Sequence, residues 1–215
     1  MPKPRKHQIS LDATPYYHCV SRCVRRAFLC GTDKSTGECY EHRRGWLEDK
    51  LLTLPQTFAI EIAAYAIMSN HYHVVLYVDV EQQKSLNIDA VIKRWYKLCK
   101  GNALADRYRR GETMTKAEYN KLLECVDEWR DRLGSISWFM RMVNEFIARE
   151  ANREDKCTGR FWEGRFKSQA LLDNSAILAC MVYIDLNPLR AGVCKTLGDS
   201  KYTSIFHKLN AASTG

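Results

Sequence analysis

The fold turns on "TFAIEIAAYAIMSNHYHVVLYVD", residues 57–79. The first half, "TFAIEIAAYAIM", is rich in apolar and aromatic residues and short enough for a buried strand. Ser69 and Asn70 then supply turn chemistry, and "HYHVVLYVD" returns as a second strand, so the stretch predicts a β-hairpin. Strand side chains alternate between faces. His71 and His73 therefore point the same way as Val75, Tyr77 and Asp79, while Tyr72, Val74, Leu76 and Val78 form the other, uniformly apolar face. Two neutral imidazoles at i, i+2, off the more apolar face, are able to converge on one borderline divalent ion. Taken alone, a bare H-x-H in a strand is a weak metal signal, and packing is the plainer reading.

Outward from the hairpin, the chain alternates irregularly between strand and helix patterns. "YYHCVSRCV" (16–24) reads as a first strand, and Trp46, Leu47, Leu51, Leu52 and Leu54 recur at helical spacing. "NIDAVIKRWYKLCKG" (87–101) reads as a helix with Val91, Ile92, Trp95 and Leu98 on one side. Residues 102–134 read as a polar helical insertion with little core-forming surface of their own. "ISWFMRMVNEFIAREAN" carries an apolar stripe of Ile136, Phe139, Met140, Val143, Phe146 and Ile147, the mark of a core helix. "GRFWEGRFKSQALL" (159–172) opens as a basic aromatic loop and ends as a strand. "NSAILACMVYIDLNPLRAGV" starts at a cap provided by Asn174 or Ser175 and stays helical until Pro188 biases Asn187 away from continuing. This order predicts an α+β fold with an antiparallel sheet over helices. Its parts are a flexible basic arm (1–13), one domain (14–200) containing the insertion, and a tail (201–215).

With 215 residues, 46% of them hydrophobic, the chain is long enough to bury a full core as one domain. Thirty-three Lys+Arg against 25 Asp+Glu leave a net charge of +8, concentrated in "MPKPRKH", "SRCVRR" (21–26) and "GRFWEGRFK" (159–167). Clustered positive charge favours a polyanionic partner through steering and counterion release. The first residues lack the apolar core of a signal peptide and no run reaches membrane-spanning length, so a reducing cytoplasm with mostly free thiols is expected for the nine cysteines. Cys19, Cys23, Cys30 and Cys39 lack the C-x-x-C knuckle of a structural zinc site.

The second informative stretch is "VYIDLNPLRAG" (182–192). On a helix, Tyr183 and Asn187 share a face at i, i+4. A phenol is a nucleophile, and an amide oxygen is a hard ligand suited to Mg²⁺ or Mn²⁺. A half-buried core tyrosine and a helix-terminal asparagine before proline are the plain alternatives. Asp185 points off that face and is assigned no role.

"YYHCVSRCVRR", "YAIMSNHYHVVLYV", "GRFWEGRFKS" and "YIDLNPLRAG", in this order, together resemble the REP-associated tyrosine transposases, a branch of the single-tyrosine HUH transposases. The resemblance spans residues 14–194. It implies a ferredoxin-like (RRM-like) core, a divalent metal (Mg²⁺ or Mn²⁺) held by His71, His73 and Asn187, and Tyr183 as the nucleophile. It also implies single-strand cleavage and strand transfer on hairpin DNA from a palindromic repeat, through a 5′-phosphotyrosine, by a monomer or homodimer in the bacterial cytoplasm. Lys3, Arg5, Lys6, Arg22, Arg25, Arg26, Arg160, Arg165 and Lys167 are the expected DNA contacts, with Phe161, Trp162 and Phe166 available to stack on bases or to anchor the loop. The chain departs from the usual family pattern at Ser69, where many relatives have proline, at the polar-tipped Tyr72, and in the 102–134 segment. A domesticated, catalytically silent protein that binds repeat hairpins is the alternative function. It would be favoured by loss of Tyr183 or of a histidine, and all three are present.

Overall fold

The computed structural model describes residues 9–24, 29–33 and 36–213. The basic residues Lys3, Arg5, Lys6, Arg25 and Arg26 lie outside that set. Four strands form one antiparallel sheet: β1 (Tyr16–Arg22), β2 (Ile60–Ile67), β3 (His71–Val78) and β4 (Lys167–Ala170), in the spatial order β2-β3-β1-β4. Helix α1 (His42–Thr53) crosses from β1 to β2, and a helical excursion ending in α6 (Ile136–Glu154) crosses from β3 to β4. This is the ferredoxin-like topology that the resemblance implies, with β3 and β1 as the central pair and β2 at one edge.

The alternation of β3 has the predicted effect. Tyr72, Val74, Leu76 and Val78, with Tyr17 and Cys19 of β1, pack beneath Leu47 and Leu51 of α1 and Phe139, Met140, Val143 and Ile147 of α6. Tyr72 is wholly buried, and its hydroxyl donates to Asn144 Oδ1 at 2.8 Å while Asn144 Nδ2 donates to Ser21 Oγ at 2.9 Å. The polar tip of this residue is thereby satisfied, removing the cost of burying an unpaired hydroxyl. On the opposite face Ala64, Ala66 and Val75 meet Ile184 of α7 (Asn174–Arg190). Small residues there let the helix approach the sheet, which brings its polar side chains close to those of β3.

Three features differ from the expectation. The 102–134 segment does have a core-forming face. Leu122, Val126, Trp129 and Leu133 of α5 (Lys116–Leu133) follow 4-3-4 spacing and pack on Val91, Ile92 and Trp95 of α3 (Ile88–Leu98), with Ala105 of α4 (Ala103–Arg109). Trp95 and Trp129 stack with centroids 5.4 Å apart. Dense Glu, Lys and Arg on the outer face of α5 hide this stripe in a composition-level reading. The α3 helix thus packs in the excursion rather than on the sheet.

The helix that carries Tyr183 is the second. Asp173 caps α7, accepting from Ala176 N at 2.7 Å, and the helix runs through Pro188 to Arg190. A proline removes one ladder bond, but here it falls in the last turn. Ala191 N still donates to Asn187 O at 2.9 Å, and the preceding turn is anchored by buried Ile184.

The third is at the ends. Ile9 and Leu11 pack on the core, and Ser10 exchanges backbone hydrogen bonds of 2.8 and 2.9 Å with the Tyr17 hydroxyl. In the C-terminal segment, α8 (Ser204–Ser213) lies against β2, with Ser204 Oγ accepting from Tyr65 N at 3.1 Å. Among the described residues no helix is long and apolar enough to cross a membrane.

Candidate active site

Across the face of the sheet covered by α7, pairing register places polar residues in rows. Val20 of β1 lies opposite His73 of β3 on one side and Lys167 of β4 on the other, and Arg22 lies opposite His71. Paired residues share a face, so His71, His73, Arg22, Val20 and Lys167 all point toward α7 or the open space beside it. At the usual strand spacing Lys167 is about 10 Å from His73. The β1 residue two before Val20 is His18, which therefore joins the same face.

The side chains converge. The rings of His71 and His73 meet edge to face at 4.9 Å between centroids, and the His73 ring meets that of Tyr183 the same way at 5.8 Å. One turn along α7, Asn187 Nδ2 is 3.5 Å from His73 Nε2. The Arg190 guanidinium stands 5.8 Å from the centre of the Tyr183 ring. Tyr183 is 43% exposed, so its phenol is reachable from solvent, whereas His73 is buried. His71 Nδ1 is 2.7 Å from Asn70 Oδ1; a carbonyl oxygen only accepts, so His71 Nδ1 carries the proton and Nε2 keeps its lone pair.

The turn that presents His71 is braced from below. The Cys30 thiol donates to Met68 O at 2.9 Å, the Cys23 thiol to Asn70 O at 3.2 Å, and Arg44 Nη1 to Ile67 O at 2.8 Å. Burial pushes the Cys30 thiol up to about 12, so it remains a neutral donor.

Electrostatically the histidines are held neutral. Burial lowers His73 to about 3, with the neighbouring His18, His71 and Arg22 adding in the same direction. Burial lowers His71, aided by Arg22, and burial lowers His18. Neutral imidazoles at ordinary pH are what a metal ion requires of its ligands. Among the described residues no three His, Cys, Asp or Glu side chains form a metal-ligand set. An ion between His71 and His73 would need a third ligand of another type, and Asn187, 3.5 Å from His73 Nε2, would supply one by turning its amide oxygen toward that ion. Two nitrogen donors and an amide oxygen fit a borderline divalent ion, with Mn²⁺ better suited than oxygen-seeking Mg²⁺.

One solved structure, that of the REP-associated tyrosine transposase bound to a REP hairpin, matches 97% of this chain and 84% of its own, at 13% identity and a TM-score of 0.55. The two proteins share a fold. No protein-family model and no curated protein matches the chain. The shared architecture agrees with the group of proteins that the sequence motifs resemble.

Of the basic residues singled out in the sequence, Arg22, Arg165 and Lys167 line one cleft of about 430 Å³ with Val20, Glu163 and Gly164. The loop is fastened there by Glu163 N donating to Arg22 O at 2.9 Å and Val24 N to Phe161 O at 2.9 Å. Arg160 is exposed and donates to Glu163 O at 3.3 Å. Phe161, Trp162 and Phe166 are core residues, Trp162 donating through Nε1 to Asn144 O at 2.8 Å, so they anchor the loop. Asp185 faces away from Tyr183 and accepts from Ser204 Oγ at 3.0 Å. Three residues of the cluster had no assigned role in the sequence: His18, Asn70 and Arg190. Parity alone marks His18, because Tyr17 and Cys19 on either side face the core.

Proposed function

We propose that the chain is a metal-dependent, tyrosine-nucleophile endonuclease and strand transferase acting on single-stranded or hairpin DNA. The observation that carries this reading is the meeting of Tyr183 and Asn187, one helical turn apart, with His73 on the facing strand. The solved neighbour, a tyrosine transposase bound to a hairpin, supports the substrate class.

In this reading His71, His73 and Asn187 hold Mn²⁺ or Mg²⁺, which when bound supplies Lewis-acid stabilisation of charge on the scissile phosphate. Tyr183 attacks phosphorus, forming a 5′-phosphotyrosine and releasing a 3′-hydroxyl, and its exposure leaves room for the phosphate to reach it. Because one phosphodiester replaces another, the bond energy is conserved and a second 3′-hydroxyl is able to displace the tyrosine. That reversibility suits strand transfer. Arg190, whose guanidinium stands 5.8 Å from the centre of the Tyr183 ring, is placed to contact the phosphate that the tyrosine attacks. Arg22, Arg165 and Lys167 in the adjoining cleft neutralise the phosphates flanking the cut, which positions the strand without reading its sequence.

The test mixes purified protein with labelled hairpin DNA carrying single-stranded flanks and Mn²⁺ or Mg²⁺, and looks for a denaturation-resistant protein–DNA adduct. Wild type is expected to form it and Tyr183→Phe to form none. Tight hairpin binding with no adduct on any palindromic substrate would establish the silent DNA-binding protein instead. A His71→Ala, His73→Ala double variant that keeps metal-dependent cleavage would overturn the ligand assignment alone.

A further inference from the structure

His18 lies outside the proposed ligand set, yet it makes the closest side-chain contact that His73 has. Its Nε2 is 2.9 Å from His73 Nδ1, and the two rings are nearly parallel, 16° apart in plane with centroids 5.1 Å apart. Two neutral imidazoles joined by one hydrogen bond have two arrangements. Either His18 Nε2 carries the proton and donates, leaving His73 protonated on Nε2, or His73 Nδ1 carries it and donates, leaving the Nε2 lone pair of His73 open to the site.

Asn187 decides between them. Its amide nitrogen faces His73 Nε2 at 3.5 Å, and an NH₂ group only donates, so that contact needs a lone pair on Nε2. His71 next door has the matching arrangement, with Nδ1 donating to Asn70 Oδ1 at 2.7 Å. We infer that His18 is a positioning residue: by accepting from His73 Nδ1 it fixes the tautomer that turns the His73 Nε2 lone pair toward Tyr183 and Asn187. Two different residues, Asn70 and His18, then hold the two Nδ1 protons, and both outward nitrogens are ready for a cation. An outer partner of this kind orients a ligand and raises its basicity, and its removal commonly lowers metal affinity by about 10- to 100-fold.

The metal-affinity consequence rests on the proposed role of His71 and His73 as ligands, whereas the tautomer does not. The experiment therefore has two arms. In the metal-free wild-type protein, ¹⁵N chemical shifts of the histidine side chains are expected to show His73 protonated on Nδ1 and unprotonated on Nε2. A His73 protonated on Nε2 overturns the inference, whatever the metal does. In the second arm Mn²⁺ affinity is measured by calorimetry without DNA. His18→Leu is expected to bind about 10- to 100-fold more weakly than wild type, and His18→Gln, which retains an acceptor, to recover most of the loss. Equal affinity of His18→Leu and wild type, or no recovery in a folded His18→Gln, overturns the positioning role. Absence of Mn²⁺ binding by wild type, with His73 still protonated on Nδ1, sinks the metal site of the proposed function while leaving the His18 contact as inferred.

Discussion

Acid should unfold this protein through the same burial that keeps His73 neutral. His73 is 6% exposed, and its pKa is lowered from the unfolded value near 6.5 to about 3. Between those values the unfolded chain binds more protons than the folded one, so stability rises with pH in that window and is lost as pH falls through it. Taking the step from pH 7 to pH 5, the unfolded imidazole gains its proton while the folded one stays neutral. The corresponding loss is about 2 kcal/mol at ~1.4 kcal/mol per pH unit. With a urea slope of about 2 kcal/mol per molar, the unfolding midpoint would fall by about 1 M from this residue. The assay is urea unfolding at pH 7 and pH 5 in EDTA, for wild type and His73→Gln. Comparing the pH difference within each protein removes the packing cost of the substitution and the contributions of groups common to both. Wild type is expected to lose about 2 kcal/mol more than the variant over the step. Equal losses in the two proteins would refute the argument, because they would mean that folding does not hold His73 neutral.

Three further outcomes are expected. Tyr183→Phe should abolish the covalent adduct while changing stability by no more than about 0.5 kcal/mol, since the ring is 43% exposed; a stability loss well above that, read by urea unfolding, would mean the hydroxyl has a structural partner. Trp129→Ala removes half of the Trp95 stack and should cost about 3–5 kcal/mol, released locally. Hydrogen exchange should show amides of 88–133 losing protection while β1 and β3 keep theirs, and uniform loss would show that the excursion and the sheet unfold as one unit. Finally, alanine at Arg22, Arg165 or Lys167 should weaken hairpin binding and reduce the slope of log affinity against log salt by about 0.7–0.9 for each lost phosphate contact. Lys93→Ala, on the exposed side of α3, should leave that slope unchanged, and equal effects at all four positions would mean diffuse charge rather than a cleft.

Much of this molecule was legible where a single element decides the matter. The period-2 alternation of "HYHVVLYV" separated the face of Tyr72, Val74 and Leu76 from that of His71 and His73, and the i, i+4 spacing of Tyr183 and Asn187 did the same on the helix. What could not be read depended on pairing between elements. Nothing in "YYHCVSR" says that Val20 will lie opposite His73, and without that register His18 has no visible partner. The stripe of α5 was present in the sequence at Leu122, Val126, Trp129 and Leu133, but nine charged side chains between Lys116 and Arg132 outweigh it in any estimate of average polarity.

The same comparison explains why chemistry and stability coexist in so short a strand. Every second residue of β3 belongs to the core beneath α1 and α6, where Tyr72, Val74 and Leu76 are fully buried and hold the strand's position. Of the intervening residues, Val75 packs on Ile184, while His71 and His73 are free to carry groups that contribute little to folding at neutral pH and oppose it in acid. Burial lowers all three histidines on that face, and a buried cation among them would be costly. The apolar side of the strand offsets the cost of the polar side. A substitution such as Val74→Ala should therefore weaken the site indirectly, by loosening the strand, whereas His71→Ala should abolish metal binding without loosening it. Those two effects are separable by measuring unfolding and Mn²⁺ affinity on the same variants. If Val74→Ala left stability intact yet abolished Mn²⁺ binding, the division of labour between the two faces would be wrong.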